Sequence, residues 1–359
     1  MRLATRNAIT AMLCSSVLAA ACSSDAPRSG AAAGSPANAG AGSNATDSGG
    51  TSADDAGTSA VVPGSGGANA SAGGNAAAGA NASAGANAHA GAGAGGGNAQ
   101  TPSCKRGLAY GHQSIADLKA LSPGVSWWYN WDFQPDPDLR GGAYRDAGVE
   151  YAPMIWGTKS DRAAAKTAIG ADARVLLGFN EPNFGAQANL SAKAAAALWP
   201  ELTAIADAKG LRLISPAVNF CGGDCQDTDP FHYLDAFFAA CSGCRIDAVA
   251  MHIYVGCTPA GDNQAKWLID HVETYKSRFS QPLWLTEFAC DSAKSDAEQQ
   301  AFLEDAVAYL EAEPRIERYA WFSGRATNVA HVDLLGASGE LTALGRAYVN
   351  APKNAACTR

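Results

Sequence analysis

Gly178-Phe179-Asn180-Glu181-Pro182-Asn183 closes a short apolar run, Arg174-Val175-Leu176-Leu177, that reads as a buried strand. Pro182 has no N–H to give to a sheet ladder, so the strand ends near it and Glu181 stands where strand gives way to loop. The same arrangement returns 106 residues later in Pro282-Leu283-Trp284-Leu285-Thr286-Glu287-Phe288-Ala289, where Glu287 closes a second apolar run. Two acids at the ends of two strands are what cleavage of a glycosidic bond requires. One carboxyl protonates the leaving oxygen, while the other attacks or activates water. The reading holds only if the rest of the chain brings the two together.

Short apolar strands alternate with amphipathic stretches on both sides of these runs. Strands are expected over 106–111, 126–132, 150–157, 174–181, 212–219, 247–254, 282–289 and 317–324. Helices are expected over 191–209, 230–240, 263–279 and 295–312, with Ser191 and Ser295 as N-caps. Eight such units in about 250 residues fit an α/β fold of the closed (β/α)8, or TIM-barrel, type better than an open sheet. No Gly-x-Gly-x-x-Gly or phosphate-binding loop follows any strand, which argues against nucleotide binding. In a barrel the chemistry gathers at the C-terminal strand ends. Those ends supply Asn130, Trp131, Trp156, Asn180, Glu181, Asn219, His252, Tyr254, Glu287 and Trp321. Trp131, Trp156 and Trp321 are candidate sugar platforms, because flat aromatic rings pack against the C–H faces of pyranoses. Trp127 and Trp128 are neighbours on one strand, so at most one points into the site. Trp199 and Trp267 fall in helical patterns and read as core.

The chain has 359 residues, and its first hundred differ from the rest. Residues 1–21 combine a basic start at Arg2 and Arg6, an apolar run and small residues, the pattern of a signal peptide. Leu18-Ala19-Ala20-Ala21-Cys22 resembles a bacterial lipoprotein box with Cys22 as the lipidated residue. Residues 22–103 are dominated by Ala, Gly, Asn and Ser, which offer too little apolar surface to fold. A flexible tether of that length spans roughly 50 Å. The expected location is the bacterial cell envelope: exported, lipid-anchored, surface-exposed, and touching membrane only through the lipid. Residues 104–357 form the folded domain. A net charge of −8 argues against nucleic acid as a partner and is compatible with a neutral polymer.

Of ten cysteines, Cys14 lies in the signal segment and Cys22 is the anchor, which leaves eight for disulfides in an exported chain. In a barrel, Cys221 and Cys225 fall at the top after the fifth strand, and Cys241 and Cys244 at the bottom after the next helix. Roughly 15 Å of helix keeps the two groups apart, so the pairs are Cys221–Cys225 and Cys241–Cys244. Cys257 and Cys290 follow adjacent strands and can pair, and Cys104 with Cys357 would staple the termini. A four-cysteine zinc site would need top and bottom to meet. No cluster of His and acids has metal-ligand spacing, and no cofactor is expected.

Four elements together carry a family likeness: Trp128-Tyr129-Asn130-Trp131, Gly178-Phe179-Asn180-Glu181-Pro182-Asn183, Ser215-Pro216-Ala217 and Trp284-Leu285-Thr286-Glu287-Phe288. With His252-Ile253-Tyr254 they resemble glycoside hydrolase family 128, the endo-β-1,3-glucanases, within the retaining clan of (β/α)8 glycosidases. The resemblance implies that Glu181 is the general acid/base and Glu287 the nucleophile, with β-glucan polysaccharide or oligosaccharide as partner. It assigns Asn180 to the sugar 2-hydroxyl, Tyr254 to a hydrogen bond on Glu287, and His252 to bracing the network. Many clan members carry an arginine near the end of strand two. This segment has none, so Asn130 is expected in its place. A retaining enzyme needs Glu181 protonated until used, so burial and neighbouring charge should raise its pKa. Competing readings are a glycosidase for another β-glycan (β-1,4-glucan, mannan or galactan) and a non-catalytic carbohydrate-binding barrel.

Overall fold

A computed structural model describes residues 103–258 and 263–354. The signal segment, Cys22, the low-complexity stretch and Cys357 lie outside the described residues. Eight parallel strands alternate with eight helices. The strands are β1 (Arg106–Ala109), β2 (Trp127–Tyr129), β3 (Glu150–Tyr151), β4 (Val175–Leu177), β5 (Arg212–Ile214), β6 (Val249–Val255), β7 (Leu283–Cys290) and β8 (Ile316–Phe322). The helices are α1 (Ile115–Leu121), α2 (Ala143–Asp146), α3 (Arg162–Ala168), α4 (Ala192–Lys209), α5 (Pro230–Ala240), α6 (Lys266–Arg278), α7 (Asp296–Ala312) and α8 (Ala343–Asn350). Six strands run in the order β3-β2-β1-β8-β7-β6, and β4 pairs with β5. Single bridges from Met154 to Leu177 and from Ile214 to Ala248 join these two ladders into a ring. The architecture is the (β/α)8 barrel expected of the alternation.

Local chemistry sets the boundaries. Ser191 and Ser295 cap α4 and α7, each accepting from the backbone N–H three residues on. Asp229 caps α5, with Pro230 at its first position. Gly210 ends α4 in the left-handed region at φ +66°, where a β-carbon would be strained.

Strand alternation decides what each residue faces. On β2, Trp127 and Tyr129 point into the barrel and stack, while Trp128 points out against Tyr144 of α2. Trp127 and Trp284 meet near the barrel floor with ring centroids 5.3 Å apart, and Arg318 sits over both. Gly107 makes room for this layer, because a β-carbon there would lie 2.3 Å from the Trp127 indole. At the bottom, the buried Arg106 guanidinium donates to Glu311, to Tyr319 and to the carbonyls of Tyr348 and Pro352. This ties the first strand to the end of the domain.

Three expected disulfides are formed: Cys221–Cys225, Cys241–Cys244 and Cys257–Cys290. They close the loop after β5, the turn after α5, and the adjoining ends of β6 and β7. The fourth expected pair involves Cys357, outside the described residues.

Candidate active site

Glu181 and Glu287 converge at the C-terminal mouth of the barrel. Both are almost fully buried, at 2% and 3% exposed. The backbone of Glu181 is held by its N–H donating to the Ala217 carbonyl, and by the bridge between Asn180 and Ala217. Glu181 takes φ +38°, a left-handed conformation that a non-glycine residue adopts at a cost and that concentrates at functional sites. Glu287 sits opposite His252 just past a register shift between Met251 and His252. The shift inserts Thr286 as an extra residue and re-aims the acid, a use of bulges common beside active sites.

Three donors hold the Glu287 carboxylate, and an imidazole nitrogen stands beside it. Tyr129 Oη and Trp131 Nε1 each donate to Oε1 at 2.8 Å, and Tyr254 Oη donates to Oε2 at 2.7 Å. His252 Nδ1 lies 3.4 Å from the same Oε2 and 3.0 Å from Oε1 of Glu181. These contacts fix the orientation of the Glu287 carboxylate at the mouth. Tyr129 and Trp131 are two residues apart and so share a face, and Trp131 completes the reach by taking φ +62°.

Burial dominates the electrostatics of the cluster. Burial pushes the Glu181 carboxyl up; the His252 imidazole pulls it back, the charge of Glu287 adds to the rise, and the net is upward. For His252, burial disfavours the imidazolium, but the charge of Glu287 and the hydrogen bond and charge of Glu181 outweigh it and raise its pKa. Burial and then the Glu287 charge hold the Tyr254 phenol well above its ordinary value, so it remains a donor. One carboxyl raised by burial beside another held by two phenols and an indole is an asymmetry suited to a retaining glycosidase.

Ligand atoms of Glu181, His252 and Glu287 lie within 4.8 Å of one another, close enough to grip a cation, although the sequence spacing showed no such group. Here the same atoms are committed to one another and to the phenol and indole donors.

The fold reassigns several residues. Trp321 is no sugar platform: it is 0% exposed, donates to the Val332 carbonyl and packs on Phe288, Phe302 and Tyr348 behind the sheet. The neighbouring Phe322 faces the site instead, against Trp131 and Tyr254. The two alternate on one strand, so choosing between them means choosing a face. Asn130 does not reach the nucleophile. It donates to the Gln134 carbonyl and Asp136 and accepts from Tyr151, which braces the loop after β2. Tyr129 and Trp131, not Asn130, donate to Glu287. Trp131 is half-buried and donates directly to Glu287. Trp156 is half-buried in the segment beyond β3, its carbonyl accepting from the Asn180 N–H. Asn180 is fully buried beside the acid, its Nδ2 at 3.4 Å from Gln187 Oε1. Trp199 is core as expected, but Trp267 is 44% exposed. Tyr129 and Phe322 were missed. Their signal was parity with Trp131 and with the strand end.

This barrel, with two buried carboxylates at one mouth and a donor cage around one of them, defines a glycoside hydrolase. Residues 107–348 match the family model described as a glycosyl hydrolase catalytic core. A family 128 subgroup II endo-β-1,3-glucanase from Sorangium cellulosum is 67% identical, aligned over 70% of this chain and 100% of its own, with a TM-score of 0.68. A second subgroup II endo-β-1,3-glucanase, from Pseudomonas viridiflava, is 37% identical over 70% of this chain and 100% of its own, with a TM-score of 0.61. The alkali-sensitive linkage protein 1 of Schizosaccharomyces pombe is 28% identical over 265 residues, 69% of this chain and 45% of that protein. The chain thus spans about half the length of that curated relative. The chain belongs to glycoside hydrolase family 128.

Proposed function

We propose that this protein hydrolyses β-1,3-glucan with retention of anomeric configuration, cutting within the chain. The observation that carries the reading is the pair of buried carboxylates bridged by one imidazole nitrogen, with their ligand atoms within 4.8 Å of one another. Retaining enzymes hold their carboxyls about 5–5.5 Å apart, whereas a water-activating pair needs about 6.5–9.5 Å. The subgroup II relatives are endo-β-1,3-glucanases, and a family 128 subgroup I endo-β-1,3-glucanase from Amycolatopsis mediterranei is held with laminaritriose; both support the substrate and the mode of cutting.

Glu287 attacks the anomeric carbon as Glu181 gives its proton to the glycosidic oxygen. The bond to the leaving sugar breaks and a glycosyl ester forms on Glu287. Glu181, now ionised, takes a proton from water, the hydroxide attacks the same carbon, and Glu287 is released. His252 follows the charge: its Nδ1–H lies within reach of whichever carboxylate is ionised. The phenols and the indole hold Glu287 in line and stabilise it as it is restored.

Glu287→Gln should abolish release of reducing ends from soluble β-1,3-glucan with the fold unchanged, and Glu181→Gln should cost ~10²–10⁴-fold in kcat. Full activity in Glu287→Gln would remove the assignment. A panel including β-1,4-glucan and mannan separates the substrate classes.

The N-terminal pattern supports display on the envelope through a lipid on Cys22. Detergent-phase partitioning of the full chain, lost in Cys22→Ala, tests it.

A further inference from the structure

Two large apolar side chains stand out on the domain surface, Phe220 at 53% and Trp267 at 44% exposed. Both stand at the catalytic mouth. Phe220 directly follows Asn219, at the end of the fifth strand segment. Trp267 is the second residue of α6, whose N-terminus lies at the same end of the barrel. The Trp267 ring lies close over the Gly256 backbone: a β-carbon on Gly256 would meet it at 2.8 Å. Gly256 is two residues beyond Tyr254, which donates to the nucleophile. The indole is thus backed on one side by backbone next to the catalytic strand while much of its surface meets solvent. Disulfides fix the ground on each side. Cys257–Cys290 ties the loops after β6 and β7, and Cys221–Cys225 closes the loop beginning at Phe220.

The two rings belong to one strip. Trp267 and His271 are four residues apart on α6 and therefore neighbours on its surface. Phe220 packs on the buried His271 ring with centroids 5.0 Å apart. Isolated exposed aromatics need no explanation, but two rings on a rigid base continuous with a substrate site do.

We infer that Trp267 and Phe220 form an outlying glucan-binding strip that holds the polymer beyond the catalytic mouth. It rests on the β-1,3-glucanase reading. The occupant is a pyranose chain because the strip leads from Tyr254, and because flat, pre-ordered rings suit the C–H faces of sugars at little entropic cost. A polymer engaged at both places gains by effective concentration, which a short oligosaccharide that cannot span them does not.

The test compares, in the full chain, Glu287→Gln with Glu287→Gln/Trp267→Ala/Phe220→Ala for adsorption to insoluble β-1,3-glucan. Unfolding temperature is measured alongside as a check of fold. Loss of adsorption by ~10-fold or more supports the strip. In the active background, Trp267→Ala/Phe220→Ala should lower kcat/KM more for polymer than for laminaritriose. Equal adsorption by the two inactive forms, or an equal loss on polymer and trisaccharide, overturns the strip while leaving the glucanase reading in place. A native protein that neither adsorbs to nor cuts β-1,3-glucan removes the substrate assignment and the strip with it. A concentration-dependent dimer abolished by Trp267→Ala/Phe220→Ala would assign the rings to self-association and overturn the proposal.

Discussion

Glu181 and Glu287 are the same residue type at the same kind of strand end, yet their surroundings give them different work. Glu287 accepts from two phenols and an indole, while Glu181 has only His252 on one oxygen. If Glu287 is the nucleophile, as proposed, its donors orient the attacking carboxylate and stabilise it as the glycosyl ester breaks, so their contribution belongs to the transition state more than to substrate binding. Tyr129→Phe and Tyr254→Phe should each lower kcat by ~10–100-fold with KM little changed. Because both hydroxyls serve one carboxylate, the double variant should depart from the product of the single effects, which a double-mutant cycle measures. A loss confined to KM would place these residues on the sugar instead.

At the scale of elements, the site depends on how strand ends are pinned. The bulge between β6 and β7 aims Glu287, and the loops that extend those strands are joined by Cys257–Cys290, 33 residues apart in sequence. Cys241–Cys244 spans only 3 residues at the far end of the barrel. On loop-closure entropy the longer bridge contributes about 3–4 kcal/mol and the shorter about 2. Cys257→Ser/Cys290→Ser should therefore lower Tm more than Cys241→Ser/Cys244→Ser, and it alone should also lower kcat on polymer. Calorimetry of the two double variants, with matched assays, reads both outcomes.

For the whole molecule, burying a charged constellation makes stability depend on pH. The folded pKa of Glu181 lies above its ordinary 4.5, so the native state holds that proton more tightly than the unfolded chain does. Its contribution is lost as pH rises from about 4.5 through the folded value. The folded pKa of His252 lies above 6.5, so the imidazolium's stabilisation is present below that value and is lost as pH rises through the folded one. Both act in the same direction, and the pair titrates as a unit. Tm should decline from mildly acidic toward alkaline pH, and Glu181→Gln should flatten the decline and raise Tm at neutral pH, a cost of activity carried by the native enzyme. A Tm profile identical in Glu181→Gln would show that the acid's burial carries no such penalty. Activity should fall on the same alkaline limb, because the acid works only while protonated.

The amino-acid order by itself pointed to the barrel, to the two acids that meet at its mouth and to the three disulfides seen among the described residues. These are local or repeating signals: apolar runs punctuated by Pro and polar residues, helix caps at Ser191 and Ser295, and cysteines whose partners follow from the barrel's two ends. Tertiary structure alone decided which face each strand residue shows. One position separates the buried Trp321 from the site-facing Phe322, and both are aromatic, so composition cannot tell them apart. It also decided that Tyr129 and Trp131, rather than Asn130, hold Glu287, and that Trp267 lies exposed. Hydrogen bonds between β2, β6 and β7 join residues more than a hundred positions apart. Their geometry comes from register, bulge and backbone conformation, which exist only once the ring of strands has closed.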